Sequence, residues 1–122
     1  MSGKHLKIRE FDGYVVVTLR GELDLVAAAH VAAVLIAVAD RDPRIVLDLT
    51  DLEFIDCRGV AALVSGRAKA RQAGGDLLIV APQRQVMKLL TRTAPAYGFS
   101  VYATAEAAIS GIRELSTTLR LA

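Results

Sequence analysis

The sequence predicts an α/β fold: a mixed, mainly parallel sheet with an antiparallel edge hairpin and about four helices, in the order β-β-α-β-α-β-α-β-α. Three observations lead to it. Runs of β-branched residues alternate with alanine-rich helical stretches over short connections, and parallel neighbours require crossover helices. The runs IVLDL and LLIVA are almost continuously apolar, as strands buried on both faces are. Apolar residues make up 53% of the chain while aromatics make up 5% and tryptophan is absent, so the core must be built from valine, leucine, isoleucine and alanine. At 122 residues the chain fits one domain, 1–122, large enough to fold without disulfides or metals.

The hairpin is read from Leu6–Phe11 and Tyr14–Arg20, which flank Asp12-Gly13, a strong tight-turn pair. Gly21 ends the second strand, and Asp24 can cap a first helix running to about Ala39. That helix is apolar almost all round, so it is either wedged deeply or used in an interface; deep packing within one chain is the favoured reading. Its outer surface would leave room for a homodimer. IVLDL follows Asp40–Pro43, a second helix spans about Arg58 to Ala73, and Gly74-Gly75 supplies its left-handed cap before LLIVA. Pro82 is placed as the first residue of a third helix, QRQVMKLLTR. Gly98 precedes the short strand FSVYA, and Thr104 caps a final helix.

Composition narrows the function classes. Fifteen basic against 13 acidic residues give a net charge of +2, too small to imply nucleic acid. One cysteine excludes an internal disulfide and suits a reducing compartment. The opening MSGKHLKIREF has no apolar signal core, and the apolar run from Leu25 to Ala39 is shorter than the roughly 20 residues a bilayer needs, so a cytoplasmic protein without membrane insertion is expected.

Enzyme motifs are missing. There is no phosphate-binding glycine loop, no nucleophile elbow, no metal-ligand spacing, and neither His5 nor His30 can be tied to Cys57. No catalytic residue, cofactor or metal is therefore assigned. The informative place is Asp56-Cys57-Arg58-Gly59, which opens the second helix. Free amides and the positive end of the helix dipole favour an anion there, and Asp56 supplies one as a cap. This electropositive mouth also makes Cys57 a candidate for oxidation. Arg58, Ala62, Ser65, Lys69 and Gln72 recur at helical spacing, as a stripe that a partner could approach closely near its start.

Gly21-Glu22-Leu23-Asp24, VLDL followed by LEFID, Asp56-x-x-Gly59, Gly74-Gly75 and LLIVAP, taken in order, resemble STAS domains, specifically the stand-alone bacterial anti-sigma factor antagonists. The resemblance implies a protein that binds an anti-sigma factor, often an ATPase-fold serine kinase, and thereby frees a sigma factor for transcription by partner switching. It also implies that phosphorylation at the start of the second helix ends binding. The matching surface is Asp24, Asp56, Cys57, Arg58 and Gly59, with Ala62, Ser65 and Lys69 beside it. Where the family carries Asp-Ser-Ser-Gly or Asp-Ser-Thr-Gly, this chain has Cys57 at the phosphoacceptor-equivalent position and Arg58 after it. A non-phosphorylatable antagonist is the expectation. A redox-responsive antagonist using Cys57, or a STAS subunit of a membrane transport system, are the alternatives.

Overall fold

The computed structural model describes residues 6–80, 82–93 and 98–121. β1 (Leu6–Phe11) and β2 (Tyr14–Leu19) form the expected hairpin, in antiparallel register from Leu6↔Leu19 to Phe11↔Tyr14. There follow β3 (Gly21–Leu23), α1 (Leu25–Arg41), β4 (Arg44–Asp48), β5 (Leu52–Ile55), α2 (Cys57–Gln72), β6 (Asp76–Val80), α3 (Arg84–Thr93), β7 (Val101–Tyr102) and α4 (Ala105–Leu121). The main sheet runs β1-β2-β4-β6-β7, and every pair beyond the hairpin is parallel.

Successive side chains on a strand face opposite ways, and here both sides are covered. Ile45 and Leu47 of β4 and Leu77 and Ile79 of β6 enter a core shared with α1, α2 and α3. Val46, Leu78 and Val80 face the other side and pack with Ala108 and Ile112 of α4. Burial on both faces is why these strands read as unbroken apolar runs. The helix signals act as the sequence implies: Gly74 takes a left-handed φ of 94° after α2, and Thr104 Oγ1 accepts from Ala107 N at 3.1 Å to cap α4.

Three features differ from the sequence reading in detail. The expected strands and helices are present in order, but the chain adds β3 and β5, a two-stranded parallel ribbon outside the main sheet. Pro82 lies ahead of α3 rather than at its first position, because the Gln83 carbonyl accepts the first helical bond, from Met87 N at 2.8 Å. α1 is not wedged deeply. Ala28, Val31, Leu35, Val38 and Ala39 are buried, whereas Leu25 is 56% and Val26 72% exposed. α1 lies beside α2 and adds one face to the shared core, and among the described residues no element packs over its outer surface. Among the described residues no helix is long and apolar enough to cross a membrane.

Candidate functional site

The β3–β5 ribbon brings two helix starts to the same end of the molecule. Leu23 pairs with Ile55, and the next residue in each strand is an aspartate that caps a helix. Asp24 Oδ1 accepts from Ala27 N at 3.1 Å, and Asp56 Oδ1 accepts from Gly59 N at 3.0 Å. Asp56 N in turn donates to the Leu23 carbonyl at 3.4 Å, which ties one cap to the other. Extended residues placed immediately before helical ones let each carboxylate fold back onto free amides. Asp56→Ala should therefore lower stability by about 1 kcal/mol, with Asp56→Asn retaining most of it; the shift in urea midpoint measures both.

The residues that the sequence singles out divide into two groups. Asp24, Asp56, Cys57, Arg58 and Gly59 are gathered at the ribbon's end. Cys57 and Arg58 are exposed as the first two residues of α2. Gly59 is buried: a Cβ there would stand 2.6 Å from Ile55 Cγ1 and 2.7 Å from the Leu23 carbonyl oxygen. Its role is to let the first turn of α2 press against the ribbon. Ser65 is exposed about two turns further along. Lys69 lies about 18 Å along the axis from Cys57, and its Nζ reaches Asp40 of α1 at 3.3 Å.

Ala62 does not belong to the outward surface. It is 4% exposed and sits in the core with Val60 and Leu63. The outward arc of α2 is instead Cys57, Ala61, Ser65, Ala68 and Gln72. Neighbouring alanines carry no hydropathy contrast, so the phase was not visible in Ala61-Ala62. The signal that sets it is the glycine pair Gly59 and Gly66 together with Leu63 and Ala70, all on the packed side.

A separate cleft of about 520 Å³ opens beside Asp24, between α1 and the ribbon, lined among others by Leu19, Arg20, Leu23, Val26, His30 and Glu53. Cys57 and Arg58 do not line it. His30 is exposed on α1, and His5 lies outside the described residues. Among the described residues no three His, Cys, Asp or Glu side chains gather as metal ligands would.

This architecture, two capped helix starts on a parallel ribbon beside a sheet with an antiparallel edge, is that of a STAS domain. Residues 5–108 match the STAS domain family, and the chain belongs to it. Comparison with curated proteins finds no match. Among solved structures, a provisionally assigned anti-sigma factor antagonist from Thermotoga maritima superposes with a TM-score of 0.81 at 21% identity, covering 92% of this chain and 97% of that one. An anti-sigma factor antagonist from Mycobacterium paratuberculosis gives 0.78 at 28% identity, covering 88% and 92%. The anti-sigma factor antagonist SpoIIAA in its unphosphorylated form gives 0.77 at 22% identity, covering 89% and 96%, and the Bacillus protein is also known in a phosphorylated form. At these identities the likeness is one of fold.

Proposed function

We infer that this chain is a regulatory binding protein of the anti-sigma factor antagonist kind, cytoplasmic and without catalytic activity of its own. It docks on an anti-sigma factor or related ATPase-fold serine kinase through the amino end of α2. The partner meets Asp56, Cys57 and Arg58, with Asp24 beside them and Ala61 and Ser65 along the outward arc. The observation that carries this reading is an exposed, carboxylate-capped helix start in a STAS fold; the family resemblance implies that Cys57 stands at the phosphoacceptor position.

Phosphate at that position would add roughly 1.5 to 2 negative charges to a packed contact. A thiol offers a serine kinase no hydroxyl, so this chain stays in its binding form where a serine-bearing relative would be released. Arg58 adds a cation at the same contact and selects against a partner that presents positive charge there.

The test has two stages. Affinity capture from the native cell should retain an ATPase-fold anti-sigma factor with the wild-type chain. Ala61→Arg, which sets a bulky cation in the middle of the outward arc, should reduce its retention at least tenfold. Equal retention by both chains would sink docking through α2, and membrane transport proteins in place of the regulator would favour the transporter reading. The captured partner is then incubated with ATP. The wild-type chain should gain no phosphate and Cys57→Ser about one per molecule; phosphate on the wild-type chain within residues 56–65 overturns the missing toggle.

A further inference from the structure

Three cations stand in a row along one helix and, among the described residues, make no ion pair. Arg84, Lys88 and Arg92 of α3 lie one turn apart and share the outer face with Met87 and Thr91, while Val86 and Leu90 face the core. From Leu77 to Ala105 the sequence has no Asp or Glu, so α3 contains no internal counter-charge. These three cations alone exceed the net charge of +2. Elsewhere Arg41, Arg44, Arg67, Lys69 and Arg71 are each held by a carboxylate. Among the described residues Arg84, Lys88 and Arg92 make no ion pair.

Like charges one turn apart repel and work against the helix that carries them. α3 is nevertheless held firmly at its amino end, where Gln85 Nε2 donates to the Glu53 carbonyl at 2.9 Å and Gln83 Nε2 to the Thr50 carbonyl at 3.2 Å. The row is thus presented on a fixed support. Between the cations, Met87, 37% exposed, and Pro82 line a shallow apolar depression.

We propose that the outer face of α3 is a docking surface for an acidic amphipathic helix of a protein partner. Charge complementarity and spacing single out this occupant. The cations rise about 6 Å per step along the axis, which is also the rise between carboxylates recurring every fourth residue on a second helix, so three ion pairs form in one register. An apolar side chain between those carboxylates meets Met87, whose flexible thioether adapts to varied shapes. Three cations are fewer than the clusters of 4 to 8 that recognise anionic lipid, and fewer than the 6 to 10 phosphate contacts of a typical DNA binder. The surface is separate from the start of α2 and does not depend on the function assigned to that start.

The experiment is an NMR titration of the isotope-labelled full chain with a helical peptide carrying Glu at every fourth position and Leu between, alongside its Gln-for-Glu twin. Shifts confined to residues 82–92, at least tenfold tighter binding of the Glu peptide than of its twin, and marked weakening at higher salt are the expected results. The triple variant R84Q/K88Q/R92Q should lose at least tenfold in affinity with an unchanged circular dichroism spectrum, and R84E/K88E/R92E should lose more. Shifts that map away from α3, equal binding of the two peptides, or no binding at millimolar peptide would overturn the proposal. So would tighter binding to phosphatidylserine vesicles or to an oligonucleotide than to the Glu peptide.

Discussion

Gly59→Ala is expected to destabilise the fold by about 2 kcal/mol, although the same exchange inside a helix ordinarily gains up to about 1 kcal/mol. The sign reverses because of where the new methyl must go. It would lie 2.6 Å from Ile55 Cγ1, 2.7 Å from the Leu23 carbonyl oxygen and 3.0 Å from Leu23 Cγ. Ile55 and Leu23 are register partners in the ribbon, and the Leu23 carbonyl accepts from Asp56 N. Neither wall can retreat without disturbing the ribbon or the cap, so α2 must lift instead. Urea unfolding measures the loss, with Ser65→Ala on the exposed arc as a control expected within about 0.5 kcal/mol of wild type. A Gly59→Ala chain as stable as the parent would mean that α2 does not press on the ribbon. Because Cys57 and Arg58 sit on this same turn, the substitution should also displace the surface assigned to partner binding.

What could be read from the sequence follows the range of the interaction concerned. Asp24 and Asp56 were legible as caps because a cap needs only amides within three residues. β4 and β6 were legible because double-sided burial forces uninterrupted apolar runs. The ribbon was not, since Gly21–Leu23 and Leu52–Ile55 are too short to show a period and their pairing spans about 30 residues of chain. That pairing is what sets Asp24 beside Asp56, so the sequence indicated the two caps but not the device that brings them together. The stripe on α2 failed for a different reason. Arg58 and Lys69 suggested a face through Ala62, but long cationic side chains tolerate many angles around a helix, whereas Gly59 and Gly66 do not. α1 misled because apolar residues all round imply burial only if another layer exists to cover them, and nothing local reports how many layers a fold has.

Leu35→Ala should cost about 3 kcal/mol, within the range for a leucine removed from a packed core. Leu35 is 0% exposed on α1 and faces Gly66 of α2, where a Cβ would meet Leu35 Cβ and Cδ1, each at 2.8 Å. Gly66→Ala should also destabilise, through overpacking rather than a cavity. Opposite causes at one contact predict a coupling: the double variant should cost less than the two single losses together by at least about 0.5 kcal/mol. The methyl added at position 66 enters space that the shortened side chain vacates, although the retained Cβ of residue 35 keeps the relief partial. Urea unfolding of the four chains completes the cycle. Strict additivity would show that α1 and α2 relax independently, so that the helix starts at Asp24 and Asp56 are held in place by the ribbon alone. Coupling would mean that the helices lock together along their length as well as at the ribbon, so that a partner docking at Cys57, as proposed, would meet a preformed surface and lose less freedom on association.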